Sequence, residues 1–77
     1  MFQFAIIEMN GSIPHLVTIG DRDNEADARQ DFEEYVRDEA SEVRRFQQRA
    51  YANFVRNVGT VKVDGKTVAK FYFDNIG

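Results

Sequence analysis

The sequence predicts a single α+β domain, residues 1–77, in which a four-stranded, mostly antiparallel sheet carries one long helix on one face, in the order ββαββ. Three observations predict this fold. Segments near both ends of the chain alternate apolar and polar residues around an Asn-Gly or an Asp-Gly pair, which is typical of β-hairpins. The long segment between them contains no glycine or proline. Its apolar residues recur every three or four positions, which is the period of a helix.

The first hairpin is predicted to turn at Asn10-Gly11, because both central residues of a type I′ turn need positive φ. A two-residue loop at this point places on one face Phe2, Phe4, Ile6, Ile13, His15, Val17 and Ile19. The other face is also apolar. The same register puts Ile7 opposite Pro14 in a hydrogen-bonded pair, although proline has no N–H to donate. We therefore expect either a wider loop with the strand starting after Pro14, or an edge strand on which Pro14 faces outward.

The helix is predicted to run from Asn24 to about Arg56. Its apolar positions are Ala28, Phe32, Tyr35, Val36, Ala40, Val43, Phe46, Ala50 and Phe54. Asp23 or Asn24 can cap its N-terminus, and Gly59 lies just past its end. A helix of about thirty residues would be roughly 45 Å long, whereas a seven-residue strand covers about 23 Å. We therefore expect the helix to overhang its sheet, to break, or to pack against a second chain.

The second hairpin is predicted around Asp64-Gly65. A three-residue loop is favoured because it places Val61 on the core face with the apolar residues of the last strand. That face then contains Thr67, Ala69, Phe71 and Phe73, and the outward positions are Lys62, Lys66, Lys70 and Tyr72. The order of the strands in the sheet is left open.

The composition excludes several classes of protein. The absence of cysteine excludes disulfides and thiolate metal sites, and 43% hydrophobic with 13% aromatic residues is typical of a globular domain. The first residues lack the basic region of a signal peptide, and no apolar run approaches the ~20 residues that span a bilayer. The expected compartment is the cytoplasm, and no membrane partner is expected.

Charge is unevenly distributed, although the net charge is only −3. Residues 21–42 contain ten of the thirteen acids and three arginines, whereas residues 43–77 contain seven basic residues and two acids. We therefore expect an acidic end and a basic end.

One stripe of the predicted helix is acidic, and the first cation on the stripe itself is Arg45. It consists of Asp27, Asp31, Glu34, Asp38 and Glu42. The stripe is consistent with a solvated face that follows the helix dipole, and also with a surface that docks on a basic partner protein. Because its spacing is near that of backbone phosphates, one version of the second interpretation is mimicry of nucleic acid.

Glu39 is anomalous because it falls in the middle of the apolar stripe. A buried carboxylate there must be paired, hydrogen-bonded or protonated. His15, on the core-facing side of the first hairpin, is one possible partner. The alternative is that the helix bends, leaves the sheet or meets a partner near this point, so that Glu39 is exposed to water.

No catalytic, cofactor-binding or metal site is expected. The only histidine is His15, and neither Ser12 nor Ser41 lies in a nucleophile motif that could act with it. The carboxylates do not have the spacing of a known metal-binding loop, and no glycine-rich loop precedes the helix to bind phosphate. The protein is therefore not expected to be an enzyme.

The sequence favours a small non-enzymatic protein-binding module, regulatory or inhibitory, of the accessory kind that mobile elements often encode. The acidic stripe would dock on a basic partner protein. One alternative is a homodimer formed through the long helix, whose apolar C-terminal half comprises Phe46, Ala50, Tyr51, Phe54 and Val55. The other is nucleic-acid binding by the basic end around Tyr72, which comprises Arg45, Arg49, Arg56, Lys62, Lys66 and Lys70.

Overall fold

The computed structural model describes all residues 1–77 and contains five strands and one helix in the order ββαβββ. The elements are β1 Phe2–Asn10, β2 Ile13–Arg22, α1 Glu25–Arg44, β3 Tyr51–Val55, β4 Val58–Val63 and β5 Lys66–Asn75. The strands form one antiparallel sheet in the order β2-β1-β5-β4-β3, so the first and last strands of the chain pair at its centre.

The predicted four-stranded sheet was wrong, because the segment assigned to the second half of the helix forms a fifth strand. α1 is continuous past Glu39 but ends at Arg44. Tyr51–Val55 pairs with β4 through a two-residue turn, and Gly59 lies opposite Phe54 in this ladder instead of capping the helix. A helix of 20 residues is about 30 Å long, close to the length of a ten-residue strand, so α1 does not overhang the sheet.

The β1–β2 turn lies one residue later than predicted. Asn10 pairs with Ile13, and Gly11-Ser12 forms the loop with a positive φ at Gly11, as in a type II′ turn. Pro14 therefore lies opposite Met9 at a non-hydrogen-bonded position, where the nitrogen faces away from β1. Since β2 is an edge strand, this is the second of the two arrangements expected for Pro14.

Two β-bulges adjust which side chains reach the core. The β4–β5 loop has two residues, not three, with positive φ at Asp64 and Gly65. Val61 still lies opposite Ala69, because an extra residue, Val68, is inserted next to this pair. A similar bulge at Val17 in β2 moves Ile19 to the opposite face from the one predicted.

The core lies between α1 and one face of the sheet. The helix contributes four buried residues spaced every four positions, which are Ala28, Phe32, Val36 and Ala40. The sheet contributes Phe4, Ile6, Val61, Phe71 and Phe73, all buried. No element of the chain covers the other face of the sheet.

Candidate protein-docking surface

The two flanks of α1 differ in charge: one carries only acids, whereas on the other arginines alternate with and pair with Glu25 and Glu33. On the β2 side, Arg22 Nε lies 2.6 Å from Asp31 Oδ2. On the β3 side, the Arg37 guanidinium lies 5.1 Å from the centroid of the Phe54 ring. Arg44 donates a hydrogen bond to the carbonyl of Ala50, the residue before β3. The acidic stripe predicted from the sequence therefore contacts β2 through Asp31, and these helix arginines lie on the β3 side.

The structure keeps the five predicted acids on one flank and engages three of them within the chain. The Asp27 carboxylate accepts a hydrogen bond from Asn24 Nδ2 at 3.3 Å, and the Asp27 backbone N–H donates to Asn24 Oδ1 at 3.0 Å, which caps the helix. Asp31 pairs with Arg22, as described above. Glu42 Oε2 lies 3.4 Å from Arg45 Nη1. These contacts fix both ends of the flank.

The centre of this acidic flank is unpaired. Glu34 and Asp38 are exposed, and their carboxylates form no hydrogen bond or ion pair within the chain. By contrast, five of the seven arginines form ion pairs with carboxylates, and Arg44 donates to Ser41 and to the carbonyl of Ala50. The uncompensated charge near the helix is therefore acidic, and it is presented to solvent.

Glu39 is half-exposed and lies beside Tyr35, so it is not a buried core charge. Burial first, and then the neighbouring negative charges of Glu39 and Glu8, together raise the pKa of the Tyr35 phenol from 10.0 to about 12. Glu8 extends the acidic surface from the helix to β1. His15 is exposed, lies opposite Glu8 in the ladder, and forms no ion pair with Glu39.

The other two surfaces expected from the sequence are not assembled as predicted. Tyr51 and Val55 lie on one face of β3 while Ala52 and Phe54 lie on the other, so there is no continuous apolar arc on the helix. The basic residues are also dispersed. Arg45 and Arg49 pair with Glu42 and Asp64, and Arg56 lies in the β3–β4 turn, at the opposite end of β4 from Lys62.

The cavities of the surface are small. One of about 250 Å³ lies between α1 and β3 and is lined by Arg37, Ala40, Arg44 and Ala52. This volume is below the ~300–1,000 Å³ that encloses a typical small-molecule ligand. The one helix, α1, lacks the long apolar run that a transmembrane helix needs.

Comparison with known proteins found no family model, no curated protein and no solved structure that matches the chain. The fold and the surface define a small two-layer α+β domain with one acidic helix flank and one uncovered sheet face. The candidate site is therefore assigned from the charge and the geometry of these two surfaces.

Proposed function

We propose that the protein is a non-enzymatic protein-binding module, regulatory or inhibitory, that docks the acidic flank of α1 on a basic surface of a partner protein. The observation that supports this proposal is that Glu34 and Asp38, at the centre of the flank, have no ion-pair partner within the chain. The chain's own nearby arginines pair with Asp31 and Glu42 at the ends, so a partner's basic groups would find the central carboxylates free.

The acidic flank contributes mainly to the rate and orientation of docking. Exposed ion pairs are each worth only about 0.2–1 kcal/mol, because both charges are hydrated before they meet. A row of like charges nevertheless steers a complementary surface over a Debye length, about 10 Å at 0.1 M salt. Association through this flank is therefore expected to weaken as salt is raised. If the partner's basic surface is a nucleic-acid site, the flank acts as a mimic of the phosphate backbone.

The first test is affinity purification with Glu34→Lys/Asp38→Lys. Neither substitution breaks an ion pair of the folded chain, so the fold is retained. The matched control is Asp21→Lys/Asp23→Lys, which changes the net charge by the same amount at exposed positions outside the helix. We expect the wild type and the control to retain the same partner from a lysate of the source cell, and the helix variant to lose it. Equal retention by all three proteins would contradict the proposal.

A further inference from the structure

The uncovered face of the sheet carries one apolar or aromatic residue from each strand in a single row. The members of this apolar row are direct cross-strand neighbours: Leu16, Ile7, Tyr72, Val58 and Val55. The two members on the edge strands are well exposed, Leu16 at 53% and Val55 at 61%. The apolar row therefore crosses the whole width of the sheet with no layer above it.

With this open face, the molecule has a larger solvent-accessible surface than is expected for its mass. The chain exposes 5208 Å², whereas a compact monomer of 8.9 kDa is expected to expose about 4,800 Å². An extended apolar face on a small protein is typical of an interaction surface. The helix side cannot supply the missing cover, because α1 lies on the other face.

Opposite charges lie on the two sides of the apolar row. Lys70 and Asp74 are on β5, two residues before and two residues after Tyr72, and therefore on the same face. Lys70 Nζ lies 5.4 Å from the centroid of the Tyr72 ring, so its charge is held beside the apolar row. One side of the row is therefore basic at its centre, and the other side is acidic.

We propose that this face binds a second copy of the chain in a sheet-on-sheet homodimer whose two-fold axis runs along the apolar row. This axis places the row on itself and brings Lys70 of each copy against Asp74 of the partner subunit. An axis along the strands would instead bring Lys70 against Lys70. The charges therefore select the first arrangement, which also keeps the strands of the two sheets aligned, as in β-sandwiches.

The size of the face fits a modest dimer interface. Five strands at ~4.8 Å spacing and about seven residues of length give a face of roughly 24 Å by 23 Å, or about 550 Å² in projection. Side-chain relief raises the accessible area towards the ~800 Å² per partner of a standard interface. The dimer would carry its two helices on opposite outer faces, so it leaves the acidic flanks free and does not depend on the proposed docking function.

The first test is sedimentation over a range of protein concentration. We expect the wild type to move from 8.9 kDa to twice that mass as its concentration rises. Leu16→Glu/Val55→Glu introduces charge at two exposed positions of the row and should raise the dissociation constant about 100-fold or more. Phe46→Glu is the matched control, because Phe46 is 85% exposed outside this face, and it should sediment as the wild type does. A wild type that remains monomeric throughout would overturn the proposal.

The second test uses Lys70 and Asp74 to examine the axis. Lys70→Asp alone and Asp74→Lys alone each create like-charge contacts, so each should weaken its homodimer about tenfold. An equal mixture of the two variants should form a heterodimer, because one then carries two acids and the other two lysines at the facing positions. Circular dichroism checks that each variant is folded. Failure of the folded variants to associate when mixed would overturn the proposed two-fold arrangement.

Discussion

Gly59 shows how a single residue sets the distance between the two layers. A Cβ at this position would lie 2.8 Å from Val36 Cγ2 and 3.1 Å from Phe32 Cζ, both on the buried face of α1. The sheet is therefore packed directly under the helix at β4. In the sequence this glycine has the position of a helix C-cap, and only the pairing of β3 with β4 reveals its role.

We expect Gly59→Ala to lower the free energy of unfolding by about 1–3 kcal/mol, because the added methyl group forces α1 away from β4. Urea denaturation measures this change. Combining it with Val36→Ala, which removes the nearest contact, should cost less than the sum of the two single effects. Additive effects of the two substitutions would show that α1 does not approach the sheet at this point.

The raised pKa of Tyr35 predicts that the stability of the fold depends on pH. Its pKa is raised from 10.0 to about 12 in the folded protein, first by burial and then by the charges of Glu39 and Glu8. Between these values the folded protein keeps a proton that the unfolded chain releases, so stability should fall as pH rises through this window.

Spectrophotometric titration of the phenols and denaturation at several pH values check this expectation. Tyr35→Phe keeps the ring against Phe71 but should abolish both the late ionisation and its contribution to the loss of stability. Tyr51→Phe, on the uncovered face, is the control and should leave the late ionisation in place. A late ionisation that persists in Tyr35→Phe would contradict this account.

At the scale of elements, α1 begins where the sequence indicates. Asn24 caps the helix by accepting from the backbone N–H of Asp27 at 3.0 Å, and acids occupy the first turn. We expect Asn24→Ala to destabilise the protein by about 1 kcal/mol in urea denaturation. Asp23→Ala, at the neighbouring exposed position, should have little effect. Equal losses from both substitutions would contradict the capping role.

The end of the helix could not be predicted from periodicity. Phe46, Ala50 and Phe54 follow the helix period. The alternation of Ala52 and Phe54 with their neighbours equally fits a strand. Tertiary pairing decides between the two, because Tyr51–Val55 completes the sheet beside β4 and packs Ala52 and Phe54 against the core.

Side-chain register could be predicted only in part. Val61 shares the core face with Ala69 as the sequence predicts, although the loop is one residue shorter, because the bulge at Val68 compensates; Thr67, predicted on the same face, instead pairs with Lys62 on the other face. The bulge at Val17 has the opposite effect and moves Ile19 away from the core. Neither residue carries a local signal for a bulge, since valine is an ordinary strand residue. The position of Pro14 on an edge strand was predictable, because it follows from the missing N–H.

At the scale of the whole molecule, the sequence indicates the acidic flank but not which of its carboxylates are free. That distinction depends on Arg22 reaching Asp31 from β2, a contact between residues on different elements. The apolar row on the open face had a partial signal, since Ile7 and Leu16 make the second face of the first hairpin apolar. Its full extent depends on the strand order, which brings Tyr72 and Val58 into line with them.

The most direct test of the docking proposal is the dissociation constant of the purified partner at low and high ionic strength. For Glu34→Lys/Asp38→Lys we expect binding at least about tenfold weaker than wild type, with a smaller salt dependence, because the two central carboxylates no longer attract basic groups. Asp21→Lys/Asp23→Lys should bind nearly as the wild type does. If both variants lose the same affinity, or neither loses any, the acidic flank of α1 is not the docking surface.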